Sequence, residues 1–283
     1  MYSNLPFLSK LRHITPIIPV YFVIFEVTFT MYYYILLNTS SSFLSKSITL
    51  ILFVPLSSMV IVTHIKSTLT SPGFVPIPYT PPKAISIENS IKNNETFCNK
   101  CNNYRPPRSH HCKICRKCTL RMDHHCPWIA NCVGYYNMKF FYQFLFYATF
   151  GDLIGFVVMF CRLCCLDYNV KHNVPKGKKV NDVFELIWYM WEHIQVFVGC
   201  SCAFAMTVGI GKVFQKQTLM LLNNQTTIDK KKFPKWEDSP YYSRNKRRNF
   251  ERIMGKGYLE WFMLRFQGEE EEEARFYMNL DEV

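Results

Sequence analysis

Four long apolar blocks alternate with strongly polar segments along this 283-residue chain. Residues 14–37, 48–65, 140–161 and 186–211 each hold at most two acidic or basic residues. A helix crossing the hydrocarbon core of a bilayer, roughly 30 Å, needs about 20 apolar residues. The pattern therefore predicts four transmembrane helices and excludes an ordinary soluble globule. The first is expected over residues 16–37, with one charge, Glu26, and with Pro16 and Pro19 where a first turn tolerates them. It is too long for a signal peptide and has no small-residue cleavage site. The second block carries Pro55, which predicts a kink. Asp152 lies in the third, and Glu192 and His193 lie in the fourth. Ionisable groups are costly inside a bilayer, so these are expected to face the bundle interior or an aqueous opening, or to sit paired near the interface.

Composition conceals this layout, because a mean hydropathy of −0.04 averages the apolar blocks with long basic segments. Charge then orients the chain. Residues 66–138 hold ten Lys and Arg against three Asp and Glu, residues 212–265 hold thirteen against five, and residues 1–15 hold Lys10 and Arg12 with no acid. The short loops 38–47 and 167–185 each come to a net +1, although the second has four lysines. Cytoplasmic loops are enriched in Lys and Arg. The expected topology puts both termini and residues 66–138 in the cytoplasm.

The expected organisation is thus residues 1–65, an N-terminal segment with helices 1 and 2; 66–138, a cytoplasmic Cys/His-rich domain; 139–211, helices 3 and 4; and 212–283, a basic cytoplasmic segment ending in an acidic tail. Ser71-Pro72-Gly73 followed by Pro76, Pro78, Pro81 and Pro82 predicts an extended linker leaving the second helix. Lys230 to Lys232, and Arg244 to Arg248 beside Tyr241, Tyr242 and Phe250, predict a stretch lying on an anionic leaflet. Four membrane spans argue against a nucleic-acid partner. Glu269 to Glu273 is expected to be a disordered acidic tail. Asn38-Thr39-Ser40 is a glycosylation sequon so close to the membrane that it is expected to go unused.

Seven of the twelve cysteines, Cys98, Cys101, Cys112, Cys115, Cys118, Cys126 and Cys132, fall within 35 residues, beside four of the eight histidines, His110, His111, His124 and His125. Cytosolic cysteines are kept reduced, so such density reads as metal ligation or catalysis. The others, Cys161, Cys164, Cys165, Cys200 and Cys202, lie in or at the ends of the third and fourth helices, where small apolar packing is expected. The CxxC spacings of the cluster bring two thiolates onto one tetrahedral zinc. Two closed sites would consume eight of the eleven candidate ligands and leave three. Asp123-His124-His125-Cys126-Pro127-Trp128 stands out, because an acid, an imidazole and a thiol are the parts of a nucleophile, base and orienter unit. Adjacent side chains cannot all point one way, so one histidine could act as base while the other turns toward zinc.

The run Cys98-x2-Cys101-x9-His111-Cys112-x2-Cys115-x2-Cys118-x4-Asp123-His124-His125-Cys126-x5-Cys132, with Asn131-Cys132-Val133-Gly134, resembles the cysteine-rich domain of DHHC-type protein S-acyltransferases, the palmitoyltransferases. The resemblance covers roughly residues 10–255, including four spans with this domain between the second and third. It implies an all-α integral membrane fold carrying a two-zinc cytoplasmic domain, with two structural Zn2+. One site would be Cys98, Cys101, His111 and Cys118, and the other Cys112, Cys115, His125 and Cys132. His110, His124 and Cys126 are then left over. Asp123 would orient His124, His124 would activate Cys126, and Cys126 would attack a long-chain acyl-CoA such as palmitoyl-CoA before the acyl group passes to substrate proteins with cytoplasmic juxtamembrane cysteines. His110 is left without a role.

Three motifs depart from the family pattern. Ser71-Pro72-Gly73 stands for Asp-Pro-Gly, and Thr226-Thr227-Ile228-Asp229 stands for Thr-Thr-x-Glu. Ser239-Pro240-Tyr241, with Asn249-Phe250 and Gly255, stands for an Asn-Pro-aromatic element. By analogy Thr227 would hydrogen-bond near Asp123, and Asn249 would fix the C-terminal segment. A long acyl chain gains about 0.8 kcal/mol per buried CH₂, which favours a cavity among the spans, with Phe140, Phe141, Phe144, Phe146, Tyr147 and Phe150 available as wall. Lys139 and Arg121 are candidates for the CoA phosphates or for interfacial snorkelling. The expected compartment is the endomembrane system or the plasma membrane. The alternative from another class is a membrane-anchored zinc-binding adaptor or scaffold without acyl transfer.

Overall fold

The structure, a computed structural model, describes residues 15–37, 43–78, 97–173 and 183–265. Asn38-Thr39-Ser40, Pro81, Pro82 and Glu269 to Glu273 lie outside the described residues, as does the side chain of Glu192. The apolar blocks form helices α1 (Ile17–Leu37), α2 (Phe43–Leu69), α3 (Met138–Asn173) and α4 (Val183–Leu222). Among the described residues, three segments are long and apolar enough to cross a membrane: Leu50–Leu69, Met138–Cys161 and His193–Leu222. In α1, Ile17–Thr30 forms a shorter apolar helix. Helix is the form in which a lone apolar segment satisfies all its backbone groups internally, which is why these blocks adopt it. Pro55 lies inside α2 without ending it. The helices overrun the apolar blocks, and α4 continues eleven residues past residue 211 to Leu222. Lys212, Lys216, Gln217 and Leu219 are good helix formers, so the helix persists where hydropathy falls.

The chain divides into two compact units, one holding residues 62–144 and the chain from 215 onward, the other residues 18–61 and 145–214. The described residues of the second unit are all helical. Its core is Val27, Phe53, Met159, Val196, Cys200 and Ala203. Gly199 permits close helix approach there, since a Cβ would lie 2.9 Å from Cγ2 of Thr30 and 3.0 Å from Sδ of Met159. Phe22, Phe25, Ile51, Phe160, Phe197 and Phe204 point outward, as suits a lipid-facing surface. Cys200 packs in the core as expected, whereas Cys161 and Cys164 are exposed on α3.

The first unit corrects the all-α expectation. Among the described residues it contains three two-stranded antiparallel hairpins: β1 (Phe97–Cys98) with β2 (Asn103–Tyr104), β3 (His110–Cys112) with β4 (Lys117–Thr119), and β5 (His124–Cys126) with β6 (Asn131–Val133). The reversal imposed by each tight turn folds the flanking residues back on one another, which hydropathy does not register. The expected extended linker lies against this framework, with Val75 N–H donating to Cys118 O at 2.9 Å and Leu120 N–H donating to Gly73 O at 2.7 Å. Gly73 has φ 89° and a Cβ there would meet Tyr136 at 2.9 Å, so both conformation and space require glycine. Short helices α5 (Thr227–Lys232), α6 (Lys246–Met254) and α7 (Tyr258–Phe262) follow α4. Helix α6 buries Asn249, Ile253 and Met254 and leaves Lys246, Arg247 and Arg248 exposed.

Candidate active site and metal centres

The hairpins interleave two ligand sets. At the β1–β2 turn, Cys101 N–H donates to Cys98 O at 3.2 Å, which brings both thiols to one side. His111 and Cys118 are direct cross-strand partners on β3 and β4, so they complete the first set. At the β3–β4 turn, Cys115 N–H points to Cys112 Sγ at 3.3 Å, and the cross-strand pair His125 and Cys132 on β5 and β6 completes the second. The β3–β4 hairpin therefore supplies ligands to both. In each set the four ligand atoms lie within 4.8 Å of one another.

Their spacing tests which ion fits. A tetrahedral zinc with Zn–S about 2.3 Å and Zn–N about 2.05 Å separates its ligands by about 3.8 Å for S–S and about 3.6 Å for S–N. In the first set, Cys98 and Cys101 Sγ lie 3.6 and 3.2 Å from His111 Nδ1, and Cys101 Sγ lies 3.7 Å from Cys118 Sγ. In the second, Cys112, Cys115 and Cys132 Sγ lie 3.6, 3.5 and 3.6 Å from His125 Nδ1, and Cys115 and Cys132 are 3.5 Å apart. Burial pushes the Cys118 thiol up, and the neighbouring Cys112 and Cys115 do the same to Cys132. Thiols crowded in this way ionise together only beside a cation. Both sets fit zinc in distance, number and donor chemistry.

Side chains alternate along β5, so His125 faces the metal set while His124 and Cys126 share the opposite face. Asp123 is fully buried and accepts four hydrogen bonds. Thr227 N–H donates to Oδ1 at 2.6 Å, and Thr227 Oγ1, Gln217 Nε2 and His124 Nδ1 donate to Oδ2 at 3.0, 3.0 and 2.6 Å. Burial by itself would raise the Asp123 carboxyl, but the bonds from His124, Thr227 and Gln217 outweigh it and hold the group below the usual carboxylate range. Burial likewise works against a charged His124. Its bonds to Asp123 and to Cys126 prevail and lift the imidazole to about 9. With Nδ1 committed to a carboxylate that only accepts, Nε2 is the nitrogen left for Cys126. The His124 ring also meets Phe141 edge-on at 5.6 Å, and Cys126 is buried.

Several polar contacts moor this group. Cys126 is followed by a single 3-10 turn, Pro127–Ile129, whose Trp128 carbonyl accepts from the buried His64 Nε2 at 3.0 Å. Asn131 Nδ2 donates to Thr68 O and Thr70 O, both at 3.0 Å, and Asn137 Nδ2 donates to Ser67 O at 3.1 Å and Cys132 O at 2.8 Å. Arg108 donates from Nε and Nη2 to Asp229 Oδ2 at 3.1 and 2.7 Å, and it also donates to Asn224 Oδ1 and Asn224 O. Asp229 also completes a capping box with Thr226 at the start of α5. This sets the backbone of Thr227 opposite Asp123. Asn249 Nδ2 donates to Leu222 O and Ser243 O, both at 2.8 Å.

The two CoA candidates sit elsewhere than at an open surface. Lys139 is fully buried, its Nζ donating to Glu260 O at 2.7 Å and Arg265 O at 2.8 Å, and buried Arg121 donates from Nη2 to Asn224 Oδ1 at 3.3 Å. Lys66 Nζ donates to Leu264 O at 2.7 Å, and Gln143 Nε2 donates to Trp261 O and Met263 O at 2.8 and 3.1 Å. Thus three side chains of α2 and α3 hold one stretch of main chain. The departures from the family motifs keep polar contacts of their own, since Ser71 Oγ accepts from Gly73 N–H and Ser239 Oγ from Tyr241 N–H, each at 3.3 Å. His110 lies on β3 opposite Thr119, half-buried, and burial lowers its imidazole. Gln217, Arg108, Asn224 and His64 escaped the sequence reading. The one available signal was a polar residue interrupting or closing an apolar helix, as His64 and Gln217 do.

A family model described as DHHC palmitoyltransferase matches residues 91–233, just over half of the chain. The chain belongs to that family. It is 28% identical over 254 residues to "Probable protein S-acyltransferase 12" of Arabidopsis thaliana, covering 84% of this chain and 81% of the relative. It is 30% identical over 223 residues to "Probable protein S-acyltransferase 13" of the same plant, covering 72% and 68%. It is also 39% identical over 152 residues to "Palmitoyltransferase PFA3" of Debaryomyces hansenii, where the match spans 53% of this chain and 34% of the relative.

Proposed function

We propose that this protein is a membrane-bound protein S-acyltransferase that moves a long-chain acyl group from acyl-CoA through Cys126 to cysteines of substrate proteins. The observation that carries the proposal is the line from Asp123 Oδ2 through His124, with Nδ1 2.6 Å away, to Cys126 on one face of a strand whose other face belongs to a metal set. The Cys126 thiol gives its proton to Nε2 of His124, and the sulfur attacks the thioester carbonyl. The acyl–sulfur bond to CoA breaks, CoA sulfur recovers the proton from His124, and an acyl-Cys126 thioester remains. A substrate thiol repeats the sequence, taking the acyl group and returning Cys126 to the thiol. Asp123 keeps the tautomer that makes Nε2 the base. Thr227 fixes Asp123, and Asn249 fixes the chain after α4.

In this reading the eight clustered Cys and His ligands hold two structural zinc ions, which tie the hairpins together. The four apolar blocks form four spans, with residues 66–138, 212–283 and the N-terminus in the cytoplasm, so that Cys126 meets juxtamembrane cysteines at the inner surface of an endomembrane or plasma membrane. Positive charge on those segments supports that orientation. Purified full-length protein given palmitoyl-CoA is expected to gain a hydroxylamine-labile label on Cys126. Cys126→Ser should abolish it while leaving two zinc ions per chain. Undiminished labelling in that variant would refute the nucleophile, and a label-free wild type with intact zinc would favour a zinc-binding adaptor instead.

A further inference from the structure

Gln217 lies six residues beyond the last apolar block, on the final turns of α4, and is 3% exposed. Its Nε2 donates to Asp123 Oδ2 at 3.0 Å, the same oxygen that receives His124 Nδ1. We propose that Gln217 is a positioning residue for acyl transfer, which through Asp123 fixes the imidazole that activates Cys126. This rests on the acyltransferase reading above.

The geometry separates the role of Gln217 from that of Thr227. The short Thr227 N–H bond anchors Oδ1 but leaves the carboxylate free to swing Oδ2 about that anchor. Oδ2 is held by donors from two different elements, Gln217 on α4 and Thr227 Oγ1 on α5. Together they set the carboxylate plane, and the plane sets the direction in which His124 Nδ1 must point. An ionised carboxylate only accepts, so the Gln217 amide has one useful orientation, with nitrogen toward Asp123. At a fully buried Asp123 no bulk water is at hand to replace a lost donor. Gln217→Met keeps the length and shape of the side chain and removes that donor. Asp123 then pivots, His124 follows, and Cys126 loses its base.

The test reads Cys126 directly. Full-length wild type and Gln217→Met, purified in detergent, are alkylated with iodoacetamide and the Cys126 peptide is followed by mass spectrometry, in parallel with transfer from palmitoyl-CoA and with zinc content. Loss of a hydrogen bond to a charged group predicts alkylation and acylation slowed by about tenfold to 150-fold, with KM for palmitoyl-CoA and two zinc ions per chain unchanged. Alkylation at the wild-type rate overturns the proposal, whether or not either protein is acylated. If wild type alkylates faster than the variant yet accepts no acyl group, the acyltransferase reading fails while the positioning of Cys126 by Gln217 stands. Should Gln217→Met lose zinc, Gln217→Asn, which keeps the amide one methylene short, decides. Two zinc ions with slowed alkylation support the proposal, and zinc loss in both variants marks a purely structural residue and overturns it.

Discussion

Asp123 and Asp229 are both buried acids, yet they have different tasks because of what surrounds them. Asp123 is satisfied by one histidine and three neutral donors, which leaves its charge to act on His124. Replacing it with Asn keeps the shape but allows the wrong tautomer, and acylation of Cys126 should fall by about four orders of magnitude with zinc content retained, as single-turnover labelling would measure. Asp229 is instead paired with Arg108 at 2.7 Å, their side chains 6% and 11% exposed, and Arg108 stacks over the Tyr241 ring at 4.5 Å. A lysine cannot reproduce the two nitrogens directed at one carboxylate or the stacked plane. Arg108→Lys is therefore expected to cost about 2 kcal/mol, seen as a lower thermal midpoint, and to slow acylation because the turn that presents Thr227 loosens. The Cys, His and Asp of this site are legible in sequence because their spacing is short. Thr227 reaches Asp123 across 104 residues and is legible only through the family motif, whereas Gln217 reaches it across 94 residues and no local spacing encodes that contact.

Among the elements, the helices are readable from hydropathy and their ends are not. Helix α2 was expected to stop near residue 65 but continues to Leu69. Its last carbonyls are taken by Asn131 and Asn137, which lie beyond the linker and two hairpins. The end of a helix is set by whatever satisfies its orphan carbonyls, and here those partners are remote in sequence. Asn131→Leu strands two of them. The expected outcome is a loss of about 1–3 kcal/mol, with faster amide hydrogen exchange confined to the end of α2 and the β5–β6 hairpin. The short strands were invisible for a similar reason. Two or three residues are too few to show a period of two, whereas cysteine spacing announces the turns between them.

For the whole molecule, the interleaving of the metal sets has a measurable result. Because β3 and β4 carry ligands for both, damage to one set loosens the hairpin that serves the other. Cys112→Ser should therefore leave fewer than one zinc ion per chain by elemental analysis, where independent sites would leave one. Helices α2, α3 and α4 each run from an apolar stretch long enough to cross a membrane into residues that hold the site. The stretch Glu260–Arg265 adds a last consequence. Lys66, Lys139 and Gln143 grasp it through five carbonyl oxygens, a feature that every amino acid shares. Such a grip is blind to spelling but sensitive to spacing. These five contacts survive a change of side chain along the stretch, although Trp261 and Glu260 carry further bonds to Gly255 O and Lys256 N–H, whereas a one-residue insertion or deletion would throw the carbonyls out of step with their donors.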